Sequence, residues 1–286
     1  MTTPTSAHCS TSVAMPDRES ILASCIQLTA GDDLQSNLNH AASLIGEAAT
    51  TGSQLVLLPE NFSFMGATEE AKLDVAEPQE SSSVLAFLSE QARLHKIAII
   101  GGSVLLKYTG NNRIRNCCPV FSAQGKLLAY YDKIHLFDAV LPNEKYSESN
   151  MVEPGSQPKM VELDDWKLGL SICYDLRFPE LYRHYSAHGC NIITVPSAFT
   201  VSTGKAHWET LLRARAIENE CYLLAAGQRG NHPGGRKTWG HSLIISPWGE
   251  VLASLEEGEG IITAELSLKK LKSVREALPV LNHRRL

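Results

Sequence analysis

Hydrophobic positions along this chain switch repeatedly between strand-like alternation and helical spacing, and each switch marks an element. Ile21–Leu28 alternates and predicts a strand. Asp32 and Asp33 then offer caps for a helix whose apolar face is Leu34, Leu38, Ala41, Ile45 and Ala48. Leu55–Leu58 predicts a buried strand, Ser81–His95 a helix carrying Leu85, Leu88 and Ala92, and Ile97–Val104 the next strand. Arg115–Phe121 and Lys126–Tyr131 bracket Gln124-Gly125, a hairpin-type turn.

The second half opens with a loop over Asp138–Pro158 and continues with a strand over Lys167–Ile172. Pro179 suits the first turn of the following helix, where its missing N–H costs little. Asn191–Val195 and Tyr222–Ala226 predict strands around a helix at Lys205–Asn219. Ser242–Ser246 and Glu250–Ala253 flank the turn Pro247-Trp248-Gly249, and a strand at Gly260–Leu266 precedes a final helix from Ser267. Short strands alternating with helices or tight turns imply an α/β protein with two mixed sheets covered by helices.

No internal linker, repeat or low-complexity block divides the 286 residues, so one domain over residues 20–286 is expected, after a Ser/Thr-rich disordered tail at 1–19 in which Met15 is an alternative start. A formal net charge of -5 argues against a nucleic-acid partner, and no run is long and apolar enough for a membrane span. Seven scattered cysteines (Cys9, Cys25, Cys117, Cys118, Cys173, Cys190 and Cys221) are an odd number in a chain too long to need disulfide staples, which fits a reducing cytoplasm. Cys117 and Cys118 are adjacent in a strand, point to opposite faces and so read as packing.

Cys173 lies where the strand pattern of Lys167–Ile172 stops and a helix pattern begins. A thiol on such a connection is a candidate nucleophile, since helix N-terminal N–H groups favour thiolate and oxyanion alike. Taken alone, core filling explains one cysteine in apolar surroundings better. Two charged residues shift the balance: Glu60 ends the apolar run Leu55–Pro59, and Lys133 ends another within Leu127–Phe137. Groups carried at the ends of neighbouring strands of an α/β sheet tend to meet in one crevice.

Leu57–Asn61, Tyr131–Asp138 and Ser171–Glu180 together resemble the three signature blocks of the nitrilase superfamily of carbon–nitrogen hydrolases, in that order, and the likeness runs from about Ile21 to the C-terminus. The resemblance implies an α-β-β-α sandwich that forms four layers on pairing, with a Glu-Lys-Cys triad at Glu60, Lys133 and Cys173. Glu60 then serves as general base and acid, and Lys133 with the backbone N–H of Tyr174 forms the oxyanion hole. Glu148 matches a further family position that orients Lys133 and Glu60; on the residues alone, Glu148 and the nearby Glu153 cannot be told apart. A homodimer is also implied.

Thr194–Glu209, Leu212–Glu218 and Trp239–Leu243 are similar to the deaminated glutathione amidase branch, with omega-amidase its neighbour. That branch implies an oxo-acid amide substrate, for whose carboxylate and oxo groups Arg177, Ser197, Thr203 and Lys205 are candidate donors. Arg177 has an equal alternative as an ion-pair partner of Asp175 or Glu180. His184 and His188 share a helix face but lack a third ligand and read as surface or core histidines; the thiol amidase that the resemblance implies is expected to use no metal or organic cofactor. His135 either buttresses Lys133 or packs, and Gly227–Gly235 reads as a pocket-rim loop. The reading of a different class is a catalytically silent binding module.

Overall fold

In the computed structural model, residues 19–68, 70–110, 112–141 and 144–285 are described. Cys9, Met15 and the expected tail, apart from Glu19, lie outside them. The first half contains β1 (Ser20–Gln27), α1 (Leu34–Thr50), β2 (Leu55–Leu57), α2 (Ala71–Val75), α3 (Ser83–His95), β3 (Ala98–Ile100), β4 (Val104–Lys107), β5 (Ile114–Phe121), β6 (Leu127–Asp132), β7 (Asp138–Leu141) and β8 (Glu144–Ser147). The second contains β9 (Met160–Leu163), β10 (Trp166–Leu170), α4 (Pro179–Ala187), β11 (Ile192–Thr194), α5 (Val201–Asn219), β12 (Tyr222–Ala225), β13 (Arg229–Asn231), β14 (Lys237–Trp239), β15 (Ser242–Ile245), β16 (Val251–Leu255), β17 (Gly260–Ser267) and α6 (Leu268–Ala277).

Two mixed sheets carry the fold. In one, β1 sits between antiparallel β17 and parallel β2; β3 joins β2 in parallel, and β5 runs antiparallel to β3 and β4 on one edge and to β6 on the other. The other has the order β16-β15-β12-β11-β10-β9, with β10, β11 and β12 parallel. Val56 and Ile99 pack with Leu38, Ile45 and Leu88 of α1 and α3, whereas Leu55, Leu57 and Ile100 pack with Leu168, Ile193 and Leu223 of the other sheet. Both faces of these strands are therefore covered, which explains their unbroken apolar runs. Tyr182 and Leu212 bring α4 and α5 onto the outer face of the second sheet, giving α-β-β-α layering. Cys117 and Cys118 fall in different clusters and so on opposite faces, as expected.

Local chemistry sets the element ends. Oδ1 of Asp33 accepts from the N–H of Ser36 and caps α1; Oγ of Ser82 accepts from Leu85 and caps α3. Thr200 caps α5, which begins at Val201 rather than the expected Lys205. The expected loop 138–158 contains the hairpin β7–β8, β9 forms a strand the pattern does not show, and the Gly227–Gly235 region opens the small hairpin β13–β14. The predicted strand Ile97–Val104 is interrupted at Gly101–Ser103, although β3 and β4 pair along the same edge of β5.

Candidate active site

That interruption receives Glu60. Leu58 extends β2 by donating to the carbonyl of Ile100, and the chain then turns through Pro59 and Asn61, whose φ is 55°. Gly102 lies against this turn with φ of +57°, and a Cβ there would stand 2.1 Å from the Pro59 carbonyl oxygen. Only glycine permits that approach. Oγ of Ser103 accepts from the N–H of Asn61 at 3.0 Å and fixes the turn.

Lys133 follows the last residue of β6. Its N–H donates to the carbonyl of Asn116, and its own carbonyl accepts from Gly155, so the backbone is held on both sides. The side chain is 2% exposed, and Nζ donates to Oε1 of Glu60 at 2.9 Å and to Oε2 of Glu148 at 2.9 Å. Asn116 of β5 bridges the same two carboxylates, with Nδ2 3.0 Å from Glu60 and 3.2 Å from Glu148. Glu148 also accepts from the N–H of Phe137. Glu153 instead pairs with Arg113 at 3.1 Å, which separates the two glutamates that sequence alone leaves equivalent.

Cys173 comes from the other sheet, three residues beyond Leu170, the last residue of β10. It is 6% exposed and adopts φ of 49°, a left-handed conformation uncommon outside glycine. A five-residue 3-10 turn, Cys173–Arg177, separates it from α4, which starts only at Pro179. The expected direct entry into a helix is thus corrected, and the N-terminus of α4 is not what surrounds the sulfur. Asp175 holds the turn. Its fully buried carboxylate accepts from the N–H of Ile172 at 2.8 Å and the hydroxyl of Tyr131 at 2.7 Å, and also from His135. One side chain therefore ties the residue before Cys173 to residues on both sides of Lys133. His135 buttresses that loop and stacks on Phe178 at 3.7 Å.

Burial opposes charge on Glu60, but the field and hydrogen bond of Lys133 outweigh it, and the Cys173 thiol and Arg236 add to them; the carboxyl sits well below its ordinary range. Lys133 is likewise opposed by burial, yet Glu148 and Glu60 hold it firmly cationic. Burial and the adjacent Glu60 carboxylate push the Cys173 thiol up, against Lys133. These directions favour the proton on sulfur and an ionised Glu60 carboxylate beside it. Oε2 of Glu60 accepts from the N–H of Ala198 at 2.8 Å, which aims the carboxylate from the second sheet.

Two hollows meet at Cys173. One, of about 340 Å³, is walled by Glu60, Lys133 and Glu148 together with Lys72, Tyr146 and Arg236. The other, of about 210 Å³, is walled by Tyr174, Arg177, Phe199, Thr200 and Thr203. Phe137 borders both. Arg177 lies over the rings of Tyr174 and Phe199, 5.8 and 5.2 Å from their centroids, and approaches Nδ1 of His207 at 3.3 Å; neither Asp175 nor Glu180 is its partner. Arg177 and Thr203 thus reach the hollow as expected, but Ser197 and Lys205 do not. Ser197 is fully buried with its hydroxyl turned to the Val195 carbonyl, and Lys205 stands on the exposed side of α5. At 3.6 residues per turn, positions 203 and 205 point to nearly opposite sides of a helix. The sequence pattern misses Lys72, Asn116, Tyr146 and Arg236; Asn116, a polar residue leading into the apolar run Cys117–Phe121 of β5, is a signal that could have marked one of them.

A protein-family model described as carbon-nitrogen hydrolase matches residues 22–276. The chain belongs to the carbon-nitrogen hydrolase family. It is 42% identical to a deaminated glutathione amidase of Synechocystis over 92% of this chain and 97% of that one. It is 39% identical to the omega-amidase NIT2 of Homo sapiens over 91% and 93%. Among solved structures, the C. elegans NitFhit protein superposes with a TM-score of 0.88 at 37% identity over 93% of this chain, which spans 65% of that longer protein. Nit3 of Saccharomyces cerevisiae, a member of branch 10 of the nitrilase superfamily, gives 0.86 at 32% identity over 94% and 97%. This carbon-nitrogen hydrolase has no helix among its described residues long and apolar enough to cross a membrane.

Proposed function

We propose that this carbon-nitrogen hydrolase cleaves the amide of deaminated glutathione to 2-oxoglutarate and cysteinylglycine through a thioester on Cys173. The reading is carried by one observation: a thiol from one sheet and a carboxylate from the other wall the same hollow, and that carboxylate shares Lys133 with Glu148.

The ionised Glu60 takes the thiol proton as Sγ attacks the amide carbon. The oxyanion so formed faces the Lys133 ammonium and the N–H of Tyr174, fixed donors in a buried site. Collapse of the tetrahedral adduct breaks the C–N bond, and Glu60 returns its proton to the leaving nitrogen. In the second half, Glu60 deprotonates water that attacks the thioester; the product acid departs and sulfur regains its proton through Glu60. Glu148 positions Lys133 without touching the reacting atoms.

Because the nitrogen takes its proton from Glu60, the leaving group belongs in the hollow lined by that residue. The acyl part then enters the second hollow, where Arg177, Thr200 and Thr203 offer donors to the 2-oxo acid and its carboxylate. The similarity to deaminated glutathione amidase supports this substrate, that to omega-amidase supports 2-oxoglutaramate as the second reading, and metabolite repair in the cytoplasm by a homodimer accords with either. Side-by-side kcat/KM values on the two amides decide: a higher value on deaminated glutathione is expected, the reverse favours omega-amidase, and turnover surviving in Cys173→Ala would remove the thioester.

A further inference from the structure

The two carboxylate oxygens of Glu60 are held in different ways. Oε1 accepts from Nζ of Lys133 at 2.9 Å and from Nδ2 of Asn116 at 3.0 Å. A carboxylate oxygen has two lone pairs, so these two donors fill it. Oε2 accepts at 2.8 Å from the N–H of Ala198, its one nitrogen donor among the described residues, and keeps a second lone pair.

The oxygens also face different sheets. Both donors to Oε1 come from the first sheet, Asn116 within β5 and Lys133 directly after β6. Oε2 lies on the side of the nucleophile: the N–H of Cys173 donates at 2.9 Å to the carbonyl of Pro196, two residues before Ala198, and Cys173 and Ala198 border the second hollow together. Asn116 is 2% exposed, and its carbonyl accepts from the backbone N–H of Lys133 at 2.9 Å. Its Nδ2 offers one proton to Glu60 and the other to Glu148, at 3.2 Å. A neutral amide makes both bonds, where a carboxylate in its place would repel both glutamates.

We infer that Asn116 is a positioning residue for Glu60: by filling Oε1 it leaves Oε2 as the oxygen that carries the proton between the Cys173 sulfur and the leaving nitrogen. As Sγ bonds to the amide carbon, the S–H bond breaks and an O–H bond forms on Oε2. When the C–N bond breaks, that proton passes from Oε2 to the nitrogen. The inference rests on the proposed thiol amidase reading, which makes Glu60 the base.

The test compares wild type with Asn116→Leu and Asn116→Asp. Each is assayed on deaminated glutathione at neutral pH, and the rate of Cys173 alkylation by iodoacetamide is followed by peptide mass between about pH 4 and 8; thermal unfolding is measured alongside. Asn116→Leu opens a lone pair on Oε1, where a proton is out of reach of sulfur and nitrogen. Its kcat should fall about tenfold with KM within about twofold, as for loss of one hydrogen bond to a charged group. The acid limb of alkylation should rise by about one pH unit, because a donor to the ionised form is gone. Asn116→Asp sets a third carboxylate against Oε1 and should raise the limb by at least about two units. Lys133, Cys173 and Arg236, which also act on Glu60, are unchanged in these variants. Asn116→Ser, smaller and still polar, is held to the same direction of shift should the Leu chain fail to fold. A kcat that holds or rises overturns the assignment, as do limbs that stay in place or losses confined to stability or KM. A wild type inert on both deaminated glutathione and 2-oxoglutaramate overturns the functional reading, and the alkylation limbs then decide on their own whether Asn116 acts on Glu60. An active wild type with unmoved limbs overturns this inference alone.

Discussion

Oδ1 of Asp175 accepts two hydrogen bonds from His135, one from the backbone N–H at 3.0 Å and one from Nδ1 at 2.7 Å. The carboxylate fixes the imidazole with its proton on Nδ1, while its other oxygen grips Tyr131 and Ile172. Asp175→Asn places an amide NH₂ against donors. It should lower stability by about 3 kcal/mol, the range for breaking a buried charged network, and reduce kcat more than it raises KM. Tyr131→Phe, which removes a single bond, should cost about 1 kcal/mol. Denaturant unfolding and steady-state kinetics check both, and an Asn variant as stable and active as wild type would refute the clamp.

Glu60→Gln preserves shape but cannot accept a proton, so kcat should fall by about 10²- to 10⁴-fold. In wild type the depressed Glu60 stays ionised on acidification past the usual carboxylate value of about 4. The acid limb of kcat/KM should therefore lie below that pH, and the raised thiol should add no inflection near neutrality. The sign for stability is the same: the contribution of Glu60 is present above its unfolded value and is lost as pH falls through its folded one. An inflection in kcat/KM between about pH 5 and 8 would contradict this assignment.

Glu148 and Glu153 are five residues apart in sequence, but only the first reaches Lys133. Glu148→Gln should cut kcat at least about tenfold by weakening the hold on the ammonium. Glu153→Gln loses one partly exposed pair with Arg113 and should change activity less than twofold and stability by under about 1 kcal/mol. Equal effects on kcat would remove the distinction.

Arg177→Ala should raise KM for a 2-oxo acid amide about tenfold or more, while Lys205→Ala should leave both constants within error. A KM effect confined to Lys205 would relocate the acyl pocket.

Gly102→Ala forces a methyl group into the Pro59 carbonyl. Strain of about 1–3 kcal/mol is expected, together with a fall in kcat because the displaced turn carries Glu60. Loss of stability with unaltered kcat would show that the turn yields without moving the carboxylate.

Much of this was legible in the chain itself. Strands such as Leu55–Leu58 and helices such as Leu34–Thr50 announce themselves because each buries a face whose period is written locally. Glu60, Lys133 and Cys173 were visible as charged or nucleophilic residues ending apolar runs. Lys72 and Arg236 were not, because one sits on a five-residue helix and the other beyond a glycine turn, segments with no periodic face to read. Ser197 was misread because a residue at a strand end can turn either way, and the neighbouring sheet decides. The hairpin β7–β8 was hidden by the near absence of buried side chains on it, for Val140 is 81% exposed.

Asp175, Tyr131 and Ala198 span the seam between the sheets, and the acid–base carboxylate and the sulfur stand on opposite sides of that seam. Turnover is consequently a property of the closed sandwich and of neither half. A fragment ending before β9 would retain a base with nothing to deprotonate, and its complement a thiol with nothing to activate it. Mixing the two halves and watching for product would report whether the seam can be sewn after synthesis.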